Sequence, residues 1–215
     1  MAIKVSASLL SADFSCLTSE LKRIDSSGAD WIHYDVMDGF FVPNISFGEP
    51  VLRSINDKLT RPCDVHLMIT EPIRYVDHYA ELGADYITVH YESTDDLDTL
   101  IDRIHELGCK AGIALKPATP VSVIEPFISK IELILIMTVE PGFGGQGIIL
   151  ETLDKVAKAR EMADNSEREI FVQVDGGIND KTADMVKTSG ADVLVSGSYI
   201  FHADDMAKAV SILKS

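Results

Sequence analysis

Basic residues, cysteines and long apolar runs are all scarce in this sequence of 215 residues. Nineteen lysines and arginines stand against 34 aspartates and glutamates, which gives a formal net charge of −15 at pH 7. Such a chain lacks the basic surface that collects nucleic acid or anionic lipid, so we expect neither partner. An anionic substrate must then be attracted locally, by backbone amides or by a metal ion.

The three cysteines, Cys16, Cys63 and Cys109, are an odd number without C-x-x-C spacing, in a chain too large to need disulfide bonds. The apolar residues 5–12 are followed directly by Asp13, and no apolar run reaches the length of a membrane span. We therefore expect a cytoplasmic protein with reduced thiols and no membrane segment.

Short apolar segments rich in β-branched residues alternate with amphipathic ones along the whole chain, which is typical of repeated βα units. This pattern predicts an α/β fold in which residues 1–215 form one domain, a single (β/α)₈ TIM barrel. A doubly wound open sheet is the alternative, because periodicity does not establish closure. Strands are predicted at residues 3–7, 31–36, 63–68, 86–90, 110–115, 133–137, 170–175 and 193–196.

A Gly-Ala-Asp repeat begins at Gly28, Gly83 and Gly190, each time between a predicted helix and the next strand. Glycine at such a place supplies the left-handed residue that ends a helix. Gly108 precedes the fifth strand in the same way. The repeat therefore supports the count of βα units.

Polar side chains stand at the predicted strand ends, where (β/α)₈ barrels build their active sites. His33 and Asp35 share one face of the second strand, as alternate residues do, while His66 and Asp175 belong to the third and seventh strands. Two imidazoles and two carboxylates predict a site for one divalent metal cation, such as Zn²⁺, Fe²⁺, Mn²⁺ or Co²⁺. Asp64 lies one layer deeper, and we expect it to be structural.

Glycine-rich segments follow the last three strands, at residues 141–146, 175–177 and 197–198. Backbone N–H groups in such loops bind phosphate without lysine or arginine, although any one loop is equally explained as a tight turn. Met37, Met68 and Met137 fall at or just after strand ends and are predicted to form an apolar wall beside a planar intermediate. Ser8, at the end of the first strand, can hydrogen-bond a substrate hydroxyl.

Taken together, these segments resemble the ribulose-phosphate 3-epimerase family from near the first residue to the last. The matching stretches are SLLSADF at residues 8–14, HYDVMDG at 33–39, FVPN at 41–44, HLM at 66–68, MTVEPGFGGQ at 137–146, VDGG at 174–177 and SGS at 196–198. The resemblance implies a barrel of the ribulose-phosphate-binding type and a homo-oligomer. It also implies reversible epimerisation at C3 of D-ribulose 5-phosphate to D-xylulose 5-phosphate, in the pentose phosphate pathway.

The resemblance further implies that His33, Asp35, His66 and Asp175 hold the metal, and that Asp35 and Asp175 are the acid/base pair of a cis-enediolate mechanism. Inverting a carbon beside a ketone needs one carboxyl group on each face, which agrees with this assignment. Asp38 is implied to support the ligands. The implied substrate-binding residues are Ser8, His66, Gly142, Phe143, Gly144, Gly145, Gly176, Gly177, Gly197 and Ser198.

The sequence departs from the family pattern at a few positions. Ala7 stands for a usual proline, Phe40 for a polar residue and Gln173 for a usual glutamate, while Gly147 begins a changed segment after the sixth strand. None of the four is a proposed ligand, so the departures concern substrate preference and the loop after that strand.

Three alternatives stay open. One is an epimerase for D-allulose 6-phosphate, and another is a phosphate-binding-barrel decarboxylase, whose D-x-K-x-x-D lysine is missing from the stretch Asp35-Val36-Met37-Asp38. The third is a barrel kept for binding or assembly without catalysis.

Overall fold

The apolar segments predicted as strands pair side by side in a parallel sheet that closes on itself. The computed structural model describes residues 2–215, and within them eight strands follow in sequence order, with the last paired back to the first. This closed barrel confirms the predicted fold class, and the open-sheet alternative is wrong. The strands are β1 Lys4–Ser8, β2 Trp31–Met37, β3 Cys63–Met68, β4 Tyr86–His90, β5 Lys110–Leu115, β6 Leu133–Met137, β7 Phe171–Asp175 and β8 Val193–Ser196.

Helices between the strands pack their apolar faces onto the outside of the barrel. Leu97, Leu100, Ile101 and Ile104 are all buried, as their three- and four-residue spacing predicts. Between β5 and β6 the connection is a 3₁₀ helix, Val121–Phe127, which contains Pro126. The α-helices are α1 Leu17–Ser27, α2 Glu49–Ile55, α3 Val76–Glu81, α4 Leu97–Glu106, α5 Leu153–Asp164, α6 Ala183–Thr188, α7 Ser198–Phe201 and α8 Met206–Lys214.

Three strands differ from the prediction by one residue at one or both ends, because pairing with neighbours rather than residue type sets where a strand stops. β1 is displaced by one residue at both ends, since it begins at Lys4 and runs to Ser8, which pairs with His33. β2 likewise reaches Met37, which pairs with Met68. β7 begins at Phe171 rather than one residue earlier.

The Gly-Ala-Asp repeat has a second structural role beyond the predicted helix ends. Its three glycines have φ angles between 80° and 105°, which confirms their left-handed conformation. Its aspartates accept backbone N–H groups at the amino end of the barrel: Asp30 from Val5 at 2.8 Å, Asp85 from Cys63 at 2.8 Å and Asp192 from Val172 at 3.0 Å. Glu132 accepts from Ala111 in the same way. Four carboxylates therefore hold the starts of β1, β3, β5 and β7.

The barrel interior is aromatic at its amino end and polar toward its carboxyl end. The Trp31 ring lies 4.6 Å from that of Tyr86 and 5.3 Å from that of Phe171. Above these rings Asp64, Thr88 and Gln173 are fully buried. In residues 2–215, the structure contains no helix of sufficient length and apolar character to cross a membrane.

Candidate active site

The pairing of the strands brings the four predicted metal ligands together at the carboxyl end of the barrel. Asp35 of β2 pairs with His66 of β3, and Asp175 ends β7. One nitrogen or carboxylate oxygen from each of His33, Asp35, His66 and Asp175 lies within 4.8 Å of the other three. Only Asp175 is partly exposed, with 18% of its side chain accessible, so the cluster opens to solvent on that side.

His33 is held from behind by a carboxylate. Its Nδ1 lies 2.7 Å from Asp64 Oδ2, and Asp64 also accepts from Gln173 Nε2 at 2.6 Å. Burial alone would lower the pKa of His33, but Asp35 and Asp64 raise it well above its ordinary value. Asp64 therefore lies behind His33 and fixes the orientation of its ring.

The two carboxylates of the cluster differ in how readily they take up a proton. Burial alone would raise the pKa of Asp35, but the adjacent His33, and after it His66, hold that pKa well below its ordinary value. Burial, reinforced by the negative charge of Asp35, raises the pKa of Asp175 to about 6. Near neutral pH Asp35 is thus the ionised carboxylate, and Asp175 is the one that more readily carries a proton.

The donor atoms suit a divalent cation. His33 Nε2 is buried without a hydrogen-bond partner and lies 3.1 Å from Asp35 Oδ1 and 3.8 Å from Asp175 Oδ2. Buried polar atoms are rarely left unpaired, so this nitrogen indicates a missing group. Imidazole nitrogens and carboxylate oxygens at such separations are the ligands that first-row divalent ions accept.

Two residues behind His66 are missed by the sequence prediction. His66 Nδ1 lies 3.2 Å from Asp35 Oδ1, while its Nε2 lies 2.9 Å from His90 Nε2. His90 Nδ1 in turn lies 3.1 Å from Glu92 Oε2. The one available signal is that His90 ends β4 on the same inward face as Thr88. His66 is fully buried, and its assignment to substrate contact stays a prediction.

A cavity of about 370 Å³ opens above Asp35 and Asp175. Ser8 lies on its wall and donates from Oγ to Asp35 Oδ2 at 2.7 Å. The predicted apolar wall residues Met37, Met68 and Met137 all line the same cavity. The structure therefore gathers at one opening most of the side chains that the sequence singles out.

The glycine-rich segments form another part of the cavity wall, and several of their glycines leave no room for a side chain. A Cβ on Gly177, whose φ is 69°, would lie 2.6 Å from the backbone nitrogen of Ile148. A Cβ on Gly197 would lie 2.5 Å from Ser11 Oγ. The residues of these segments that line the cavity are Gly142, Phe143, Gly144, Gly145, Gly176, Gly177, Gly197 and Ser198.

Other cavity residues are not named as site residues by the sequence prediction: Ser11, Val139, Asn179, Tyr199 and His202. Asn179 and Tyr199 follow the predicted glycine segments within two residues, so their position along the chain is the signal that could have found them. Asp38 lies outside the cluster of ligands. It accepts from the backbone of Phe41 and Thr70, each at 2.8 Å, and so ties the loop after β2 to the loop after β3.

Comparison with known proteins places the chain in a family. Residues 4–201 match the family described as the ribulose-phosphate 3 epimerase family. The chain is 46% identical over 213 residues to a ribulose-phosphate 3-epimerase of Bacillus subtilis, with 99% of this chain and 98% of the relative covered. This chain belongs to the ribulose-phosphate 3-epimerase family. A ribulose-phosphate 3-epimerase of Escherichia coli is 41% identical, with 98% of this chain and 94% of the relative covered.

Solved structures outside the ribulose-phosphate 3-epimerase family share the fold alone. The 3-hexulose-6-phosphate synthase of Salmonella typhimurium superposes with a TM-score of 0.73 at 18% identity, covering 99% of this chain and 97% of that one. KGPDC from Streptococcus mutans superposes with a TM-score of 0.71 at 15% identity, covering 100% of this chain and 96% of that one. Both therefore support the barrel and leave the chemistry to the site.

The departures from the ribulose-phosphate 3-epimerase family pattern fall at different distances from the site. Phe40 is 85% exposed on the loop after β2, and Ala7 is buried in β1 behind the helices. Gln173 is the departure nearest the ligands, since its amide donates to Asp64, the carboxylate behind His33.

Proposed function

We propose that this chain catalyses the reversible, metal-dependent epimerisation of D-ribulose 5-phosphate at C3, which yields D-xylulose 5-phosphate. The observation that carries the proposal is the pair of carboxylates, Asp35 and Asp175, at the base of one cavity with opposite preferences for a proton. An epimerase needs a base on one face of the carbon and an acid on the other. Environments that push two pKa values apart supply such a pair.

In this proposal Asp35, ionised, removes the C3 proton from one face of the substrate, and Asp175, protonated, returns one to the opposite face. The two carboxyl groups exchange roles when the reaction runs in reverse. Ser8 Oγ, which donates to Asp35, holds the base in place and is available to a substrate hydroxyl. The buried methionine wall lies against the planar intermediate and limits access of water to it.

The ligands of the cation would be His33, Asp35, His66 and Asp175. When bound, a divalent ion such as Zn²⁺, Fe²⁺, Mn²⁺ or Co²⁺ supplies Lewis-acid stabilisation of the negative charge that develops on the substrate oxygens. Nδ1 of His33 is hydrogen bonded to Asp64, so Nε2 of the same ring is directed at the cluster.

The glycine-rich wall would bind the phosphate group. Gly176, Gly177 and Gly197 let the backbone come close to the cavity, where a side chain would meet Val139, Ile148 or Ser11. Exposed N–H groups of such loops bind anions without a basic side chain. This arrangement suits a chain whose net charge is −15 and which repels anions at long range.

The decarboxylase alternative has no support in the site. Met37 stands where that branch carries its lysine and lines the cavity with a thioether. A thioether cannot donate the proton that decarboxylation requires.

We further propose that residues 1–215 act as one barrel domain of a cytoplasmic homo-oligomer. Phe40 and Ile45, 85% and 75% exposed, support a protein interface beside the site, and light scattering of the purified chain tests it.

The test is incubation of the metal-loaded protein with D-ribulose 5-phosphate in D₂O, followed by NMR. We expect xylulose 5-phosphate carrying deuterium at C3, and loss of conversion when a chelator removes the metal. Folded, metal-loaded protein that neither converts nor labels this substrate would refute the assignment. Conversion of D-allulose 6-phosphate alone would then identify the longer sugar as the substrate, and inertness toward both would indicate a barrel without catalysis.

A further inference from the structure

The two ligand histidines differ in what lies behind them. His33 contacts a carboxylate directly, since its Nδ1 lies 2.7 Å from Asp64. Behind His66 lies a second imidazole, His90, and the carboxylate of Glu92 follows one step further out. His66 and His90 are both fully buried, so no bulk water competes for their ring nitrogens. Each ligand ring is thus connected to a carboxylate, directly in one case and through a histidine in the other.

We propose that His90 and Glu92 are positioning residues that fix His66 in the tautomer whose Nδ1 is free to bind a cation. The inference rests on the metal site of the proposed function and assigns it two further residues. It follows from the direction of the hydrogen bonds in the row from Glu92 through His90 to His66.

Glu92 sets the donor–acceptor direction of these hydrogen bonds. Its Oε1 accepts from the backbone N–H of Lys116 at 2.9 Å and from the hydroxyl of Thr119. An ionised carboxylate only accepts, so the other oxygen, Oε2, must receive a proton from His90 Nδ1. Since β5 ends one residue before Lys116, this anchor is part of the barrel rather than of a free loop.

The hydrogen bond between His90 and His66 runs in the same donor-to-acceptor direction. A neutral His90 ring carries one proton, and the acceptor Glu92 Oε2 requires that proton on Nδ1. Its Nε2 is then an acceptor, and His66 Nε2, 2.9 Å away, must be the donor. A neutral His66 with its proton on Nε2 has a lone pair on Nδ1.

That lone pair is directed at a second acceptor. His66 Nδ1 lies 3.2 Å from Asp35 Oδ1, and the oxygens of an ionised carboxylate only accept hydrogen bonds. Two acceptors at this distance repel each other unless a cation or a proton lies between them. The row of hydrogen bonds therefore prepares the cluster for a cation, and groups that fix a ligand imidazole in this way are worth about 10–100-fold in metal affinity.

The tautomers can be measured by long-range ¹H–¹⁵N NMR of the histidine rings in the metal-free wild type at pH 9. We expect His66 to carry its proton on Nε2 and His90 on Nδ1. Protons on His66 Nδ1 and His90 Nε2 would overturn the proposal without any variant being made. The measurement is independent of turnover, so it stands even if the substrate is not ribulose 5-phosphate.

The matched variant is Glu92→Gln, which keeps the shape of the side chain. The amide oxygen will stay toward the Lys116 N–H, so the amide NH₂ faces His90 Nδ1 and donates to it. The donor–acceptor direction of the hydrogen bonds through His90 to His66 is then reversed. We expect both tautomers to switch and the affinity for Co²⁺, measured by competition with a chromophoric chelator, to fall about 10–100-fold. His90→Phe, which removes the acceptor, should lower it similarly.

The control is Glu49→Gln, the same change at another histidine–carboxylate pair. Glu49 Oε1 lies 2.7 Å from His78 Nδ1 on the outside of the barrel, so its loss should leave Co²⁺ affinity unchanged. Unchanged affinity and unchanged tautomers in Glu92→Gln would overturn the proposal. A wild type that binds no Co²⁺ would instead refute the metal site of the proposed function.

Discussion

Both ends of the barrel carry carboxylates that are at least half-buried, but the protein neutralises them differently. At the amino end Asp192 accepts the backbone N–H of Val172 and pairs with Arg160 at 2.6 Å, and Asp30 pairs with Lys214 at 2.7 Å. At the carboxyl end the partners of Asp35 within ion-pair distance, among residues 2–215, are His33 and His66. Lysine and arginine thus neutralise the carboxylates of one end, whereas the neighbours of Asp35 at the other end are titratable histidines of a cluster that could hold a metal ion.

The difference separates stability from function. The carboxylates of the amino end accept hydrogen bonds that hold strand starts in place, so they stabilise the fold wherever they are ionised. The pKa of Asp175, raised to about 6, shows that its charge is disfavoured in the metal-free protein. A group whose charge is disfavoured in this way is a candidate for a role in the site.

The sharpest test of this comparison is the same substitution made at each end. Asp175→Asn removes the proposed acid and should lower epimerase activity by about 10²–10⁴-fold. Asp192→Asn should leave the activity of the folded protein near that of the wild type. The measurement is kcat/KM with saturating metal. An active Asp175→Asn variant would break the assignment of roles to the two ends.

The second prediction concerns pH. Because the pKa of Asp175 is raised from 3.8 to about 6, its contribution to stability is fully present below pH 3.8 and is lost as the pH rises through 6. The metal-free wild type should therefore become less stable than Asp175→Asn by up to about 3 kcal/mol at pH 8, at 1.36 kcal/mol per pKa unit. Urea unfolding in chelator across this range measures it. Parallel profiles for the two proteins would contradict the prediction.

The third prediction is the stability cost at the amino end. Asp192→Asn weakens two charge-assisted hydrogen bonds, from Arg160 and from the start of β7, so we expect a loss of about 1.5–3 kcal/mol. Urea unfolding at pH 7 measures the loss. Asp184→Asn serves as the control, because Asp184 is 87% exposed in its pair with Lys187. Equal losses of unfolding free energy in the two variants would show that burial of the carboxylate does not determine how much it stabilises the fold.

Much of the fold follows from the sequence because local pattern and barrel geometry agree. The eight apolar segments predict eight strands within one residue at each end, and left-handed glycines predict the ends of helices. Closure does not follow from periodicity, since an open sheet has the same pattern. The second role of Asp30, Asp85 and Asp192 also escapes the sequence, because their acceptor bonds reach strand starts about 20–25 residues away along the chain.

The site shows the same limit. Each of the four proposed ligands can be named from the sequence, because alternate residues of a strand share a face and family motifs contain them. Their roles stay proposals. His90 and Glu92 cannot be named in this way, since their place depends on which ring nitrogen meets which partner. The assignment of His66 to substrate contact, which the resemblance implies, stays a prediction, and the structure adds that Nε2 of His66 lies against His90.

The smallest effect is expected at the edge of the amino end. Lys214 donates from Nζ to Asp30 and to the carbonyl of Gly28, but the Lys214 and Asp30 side chains are 30% and 29% exposed. Water and salt screen such a pair, so Lys214→Ala should cost about 0.2–1 kcal/mol, and less at high salt. Urea unfolding at two salt concentrations measures it. The prediction is contradicted if Lys214→Ala loses as much unfolding free energy as Asp192→Asn, and the loss does not depend on salt. Hydrogen bonds to the backbone, rather than burial, would then set how much each amino-end carboxylate stabilises the fold.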